Sequence, residues 1–235
     1  MGSILVFLTL VGIPVAWWLA RQRLTSKPWL EEGTIEVPGT GASRVPASTL
    51  GLGIFLAVVG SLFTLVISAY AVRMTMGDWR PLPVPNMLWL NTGLLVASSL
   101  ALQLAQIAGK RGRMEDLKLG VFAGAGFALL FLFGQILVSR QLSEAGYFLT
   151  SNPANAFFYL LVVLHGLHLS GGLVALGHTA QRIWRGDMRR DRILHNIALS
   201  AAYWHFLLLV WLAVMALLMG WASGFITLCG QVFNG

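Results

Sequence analysis

The sequence is short of the residues on which most soluble enzymes and metal centres depend. Among its 235 residues there is one cysteine, Cys229, near the end of the chain. A lone thiol cannot close an internal disulfide, nor supply the paired thiolates of an iron–sulfur or dinuclear copper centre. Asp and Glu together number 9, and charged residues make up 11% of the chain. No Asp, Glu, Lys or Arg lies well inside any long apolar run, so these runs offer no carboxylate to support a metal ligand. There is no CxxCH haem-attachment sequence, no low-complexity tract and no convincing internal repeat.

What the sequence has is apolar length. Hydrophobic residues make up 57% of the chain and the mean hydropathy is +0.74, more than one soluble core of this size can hide. Six runs, over 4–20, 50–72, 87–108, 119–138, 156–181 and 197–221, each approach the roughly 20 residues needed to cross about 30 Å of hydrocarbon. The first has no positive charge ahead of it and is followed by Arg21, Arg23 and Lys27, which reads as a retained anchor rather than a cleaved signal. Pro28, Gly33, Pro38, Gly39, Gly41 and Pro46 break the connector that follows. The expected fold is therefore an all-α integral membrane protein, a bundle of six transmembrane helices. Residues 1–49 form an N-terminal helix with its cytoplasmic connector, and residues 50–235 a five-helix core.

The basic residues orient this bundle, because short cytoplasmic loops hold an excess of Lys and Arg. With the N-terminus outside, the inner loops carry Arg21, Arg23, Lys27 and Arg44, then Lys110, Arg111, Arg113 and Lys118, then Arg182, Arg185, Arg189, Arg190 and Arg192. Arg73, Arg80 and Arg140 are left on the outer side. Both termini are thus expected on the outer, periplasmic face of a bacterial inner membrane. Dispersal over short connectors also accounts for the net charge of +7 by topology and anionic lipid, without nucleic acid. Gly120 with Gly124, and Gly166 with Ser170, have the spacing that lets membrane helices approach closely. The loop over 77–86, with Pro81, Pro83 and Pro85, reads as a stiff connector.

Three histidines fall inside apolar runs, where ionisable groups are costly and face the protein interior. His165 and His168 share a helical face, and His205 stands beside Tyr203 and Trp204. Three imidazoles could ligate copper, zinc or haem iron; alternatively, neutral rings hydrogen-bond across helices and fix packing. Without an acidic second shell, we adopt a structural polar network of His165, His168, Tyr203, Trp204 and His205, with no catalytic, cofactor-binding or metal-binding residue in this chain. His178 and His195, at cytoplasmic helix ends, are weaker candidates.

The run from Asn152-Pro153 through Phe157-Phe158-Tyr159 to His165-Gly166-Leu167-His168 and Gly171-Gly172 resembles the penultimate helix of subunit III of haem-copper cytochrome c oxidases. Tyr203-Trp204-His205-Phe206 with Val210-Trp211-Leu212 resembles that family's YWHF-x(3)-VW pattern in the last helix. Leu88-Trp89-Leu90-Asn91-Thr92, Ser98-Ser99 and Gly134-Gln135 extend the likeness over most of 50–222. Two positions depart from it. Val59 stands where many members carry a glutamate, and Leu207, Leu208 and Leu209 occupy the stretch where an aspartate is common. Both departures weigh against a proton-handling role and towards structural support.

The resemblance implies that haems and copper reside in partner subunits I and II, and that cytochrome c meets this chain only through the complex. It also implies that phospholipid accompanies the subunit. Two other readings keep part of the pattern: an accessory subunit of a quinol oxidase or nitric-oxide reductase, or a stand-alone b-type cytochrome in which His165 or His168 pairs with His205 on haem. For topology, cysteines introduced at Gly2 and Asn234 are expected to react with a membrane-impermeant thiol reagent added from outside. Protection of either one contradicts the orientation.

Overall fold

The computed structural model describes residues 46–83, 85–186 and 189–220. The expected span over 4–20, most of the connector after it, and Cys229 lie outside the described residues. Five helices follow one another: α1 Ala47–Arg73, α2 Met87–Lys110, α3 Met114–Glu144, α4 Pro153–Arg185 and α5 Arg190–Leu218. All five are long and apolar enough to cross a membrane. In hydrocarbon such stretches must be helical, because a helix satisfies its backbone N–H and C=O groups within the segment. The count among the described residues is thus five, against the six expected from the whole sequence.

The chain divides into two units with the boundary after Val58, inside α1. Of the first unit residues 46–58 are described, as the opening turns of α1; all that follows concerns the second.

The helices outrun the apolar segments that announce them. At 31 and 33 residues, α3 and α4 are roughly 46 and 50 Å long at about 1.5 Å per residue, well beyond the hydrocarbon thickness. Their polar ends continue the helix because charge suits it there. Glu115 and Asp116 occupy the first turn of α3, and Arg182 and Arg185 the last turn of α4, each sign at the dipole end that favours it. Hydropathy marks where the membrane is, and not where the helix stops.

Short connectors make successive helices antiparallel. α2 turns into α3 through Arg111-Gly112-Arg113, where Gly112 adopts φ 81° and the Arg113 N–H donates to Ala108 O at 3.0 Å. α4 starts at Asn152, whose Oδ1 accepts from the Ala154 N–H at 3.3 Å, with Pro153 at the first helical position. Asn152 also accepts from the Arg80 N–H at 3.5 Å and donates through Nδ2 to Arg80 O at 2.5 Å. The α1–α2 connector is therefore bound to the head of α4.

α2 is the central element, packing most broadly on α3 and then on α5, while α4 packs on α5 and α3. Small residues set the α2–α3 approach: a Cβ at Gly120 would stand 2.8 Å from Ala105 Cβ and 2.9 Å from Ala101 O, and one at Gly124 2.9 Å from Leu102 Cγ. The Gly120/Gly124 pair is an interface. On α4 the close contact falls instead at Gly172, against Tyr203, while Ser170 is exposed and donates to Gly166 O at 2.8 Å. The lateral surface is apolar, with Leu100, Leu104, Phe122, Phe133 and Leu209 each more than half exposed. Gly120→Ala is expected to push α2 from α3 and to cost about 1–3 kcal/mol in thermal stability. Gly126→Ala, where a Cβ meets nothing within 4 Å, should be neutral or slightly stabilising.

Candidate functional site

Among the described residues the buried polar side chains are Asn91, Thr92, Ser98, Ser99, Gln135, Asn155 and His165. Four of them lie on α2 in two pairs, two helical turns apart, so that they share one face. In a bilayer such groups have no water to turn to and must find partners in the protein.

Two indoles on α5 provide them. Trp204 Nε1–H donates to Ser98 Oγ at 2.9 Å, and the Ser98 hydroxyl donates to Gly124 O at 2.7 Å, so one chain of bonds joins α5, α2 and α3. Two turns along, Trp211 Nε1–H donates to Thr92 Oγ1 at 3.0 Å, and Thr92 donates to Leu88 O at 2.8 Å. Both tryptophans are fully enclosed, so each N–H would otherwise be stranded.

His205 is turned onto α2. Its Nε2 bonds Gln103 Oε1 at 3.0 Å and its Nδ1 bonds Ser99 Oγ at 2.5 Å. Because Gln103 Oε1 can only accept, Nε2 carries the proton; a neutral ring then accepts at Nδ1 from the Ser99 hydroxyl. Where the family pattern offers an aspartate, this chain has Leu207 buried and Leu209 exposed, and neutral side chains of α2 engage the imidazole instead. Val59, at the other departure, is buried on α1 one turn before Phe63.

His165 and His168 part company despite sharing a helix. His168 donates from Nδ1 to Leu164 O at 2.7 Å, and its backbone carbonyl accepts from the Tyr203 hydroxyl at 2.8 Å. His165 is fully buried among rings, with centroids 5.1 Å from Trp211, 5.7 Å from Phe131 and 6.3 Å from Phe63. Neither of its nitrogens has a hydrogen-bond partner among the described residues. Of the five residues expected to form one network, Trp204 bonds Ser98, His205 bonds Ser99 and Gln103, Tyr203 bonds the His168 carbonyl and packs edge-on against Trp204, and Phe63 meets both His165 and His168. The sequence alone did not pick out Ser98, Thr92 and Gln103 as the partners. The available signal was the recurrence of polar pairs along one face of α2. Among the described residues no group of three or more His, Cys, Asp or Glu is placed to hold a metal ion.

At the end of the bundle carrying the long loops, Trp79 packs edge-on against Tyr70 at 4.8 Å and near Phe157 at 6.3 Å. An Arg73–Asp78 ion pair closes the start of that loop. The hydrogen bond from Arg73 holds the exposed Asp78 carboxyl below the usual carboxylate range, so the pair is intact at neutral pH and is lost as pH falls through that lowered value.

These features define a polytopic all-α membrane protein in which several interior polar groups bond helix to helix. The family model described as cytochrome c oxidase subunit III matches residues 43–223, a stretch that takes in all five described helices. The chain belongs to that family. It is 30% identical over 145 residues to a probable cytochrome c oxidase subunit 3 of Mycobacterium tuberculosis, covering 60% of this chain and 71% of the relative. It is 27% identical over 200 residues to the cytochrome c oxidase subunit 3 of Thermostichus vulcanus, covering 80% and 96%. It is also 27% identical over 186 residues to the cytochrome bo(3) ubiquinol oxidase subunit 3 of Pseudomonas aeruginosa, covering 74% and 85%.

Thr92→Val preserves shape but removes the acceptor of the buried Trp211 N–H. It is expected to cost roughly 1–2 kcal/mol in thermal stability. In a double-mutant cycle, the same change beside Trp211→Phe should cost markedly less than it does alone.

Proposed function

We propose that this chain is the non-catalytic membrane subunit that keeps the catalytic subunit of a haem-copper oxidase in working form during aerobic respiratory electron transport. The observation that carries the reading, beside family membership, is how its polar groups are used. Trp204, Ser98 and Gly124, then Trp211 and Thr92, then His205, Ser99 and Gln103, form interhelical clasps inside a rigid bundle. In this reading His165, His168, Tyr203, Trp204 and His205 serve packing, and the position of Val59 takes no part in proton handling.

Haems and copper then belong to partner subunits I and II, and cytochrome c delivers electrons to the complex without touching this chain. One relative is a subunit of a ubiquinol oxidase, which favours quinol as the alternative electron donor. The apolar lateral surface suits phospholipid around the subunit. The basic connectors at one end favour the cytoplasm of a bacterium for that end. Both termini then lie on the periplasmic side of the inner membrane, with a sixth helix over 4–20 and the five-helix core beginning near residue 50.

Deleting this chain tests the reading. The remaining oxidase should keep its haem spectrum and initial turnover but lose activity faster during sustained turnover, because supporting contacts are lost while redox ligands remain. Immediate loss of all haem contradicts it.

A further inference from the structure

Three of the buried polar side chains are not used by any clasp. Asn91 and His165 are 0% exposed and Gln135 is 4% exposed. Among the described residues both polar atoms of each have no hydrogen-bond partner: Oδ1 and Nδ2 of Asn91, Oε1 and Nε2 of Gln135, Nδ1 and Nε2 of His165.

The three are linked through a short circuit of neighbouring side chains on α2, α3, α4 and α5. Asn91 of α2 lies against Gly134 of α3, where any Cβ would overlap its carboxamide, and Gln135 is the next residue. Phe131, one turn from Gln135, faces the His165 ring, with centroids 5.7 Å apart. Trp211 closes the circuit, with its ring tilted against His165 at 5.1 Å and its indole N–H bonded to Thr92, the neighbour of Asn91. Four helices therefore converge on these side chains. One helical turn from Asn91, Gln135 or His165 on their own helices, Leu88, Leu95, Phe131 and Leu161 are each 0% exposed, as is Trp211.

The chemistry of the six atoms selects the occupant. Two carboxamides and a neutral imidazole present donors and acceptors together, with no formal charge. No Asp or Glu lies inside these spans to hold a cation, and no Lys or Arg to hold an anion. With Asn91 and His165 at 0% exposure and Gln135 at 4%, an acyl chain of the surrounding lipid does not reach them. A small neutral molecule that both donates and accepts matches the set, and water making about three hydrogen bonds does so in about two copies.

We propose that Asn91, Gln135 and His165 line an internal water-binding site sealed within the membrane bundle. The site is built from this chain's own side chains and does not depend on which oxidase the chain serves.

The decisive measurement is a map of the intact oxidase at a resolution that shows ordered water. About two compact peaks are expected, each within roughly 3.2 Å of polar atoms from at least two of the three residues. Direct side-chain hydrogen bonds among the three with no such peak, or an elongated density, would overturn the proposal. Water-edited solid-state NMR of the complex in deuterated lipid gives a second reading. Polarisation from water should reach the His165 ring several-fold faster than the Leu95 and Leu161 methyls, and equal rates would overturn it. In Gln135→Met one peak should disappear and transfer to His165 should slow, whereas an unchanged pattern removes Gln135 from the site. If that variant fails to assemble, the wild-type map and transfer rates still decide.

Discussion

The fold rests on the need to satisfy hydrogen-bonding groups where the solvent cannot. The relay from the Trp204 indole through the Ser98 hydroxyl to Gly124 O shows the constraint most fully. It needs an indole on α5, a hydroxyl on α2 and a carbonyl on α3 that the side chains leave accessible to it, in register. It also needs a glycine at 124, since a Cβ there would meet Leu102 and hold the helices apart. Apolar packing alone would not select this register, because lipid tails are as good a neighbour for leucine as another helix is. The directional bonds supply the specificity that hydrophobic burial supplies in soluble proteins.

This inversion explains the distribution of residues over the molecule. Large apolar side chains such as Phe122 and Leu104 lie outside, while asparagine, glutamine, serine and histidine lie within. Even His205, partly turned to the surface, has both nitrogens engaged by α2. The substitution of leucines for an acidic partner is compatible with this neutral arrangement, since Ser99 and Gln103 need no charge to hold the ring.

Much of the architecture was legible in the sequence because hydrocarbon thickness imposes a length that few other constraints mimic. The runs over 50–72 and 87–108 lie within α1 and α2 to a few residues. The ends of α3, α4 and α5 were less legible, since helices continue into polar segments such as Glu115-Asp116 and Arg190-Asp191-Arg192, where hydropathy falls silent. The span over 4–20 falls outside the described residues. Of the interior, the residue types could be read but not their pairings. Helical spacing places His165 and His168 on one face, yet two residues so placed still point about 60° apart, enough for one to enter an aromatic cage while the other turns to its own backbone. Which α2 hydroxyl meets which α5 indole is a long-range fact, legible only once the register between helices is known.

The Asn152–Arg80 tie bears on the order in which the molecule can be made. The α2–α3 hairpin is closed by a tight turn and draws its close contacts from neighbours in the chain, so it can form as soon as both segments have entered the membrane. α1 emerges earlier, but the partners that fix its far end, Asn152 and Phe157, lie at the head of α4. During biosynthesis the first core helix must therefore wait, inserted but unanchored, until two later helices have passed through the translocon.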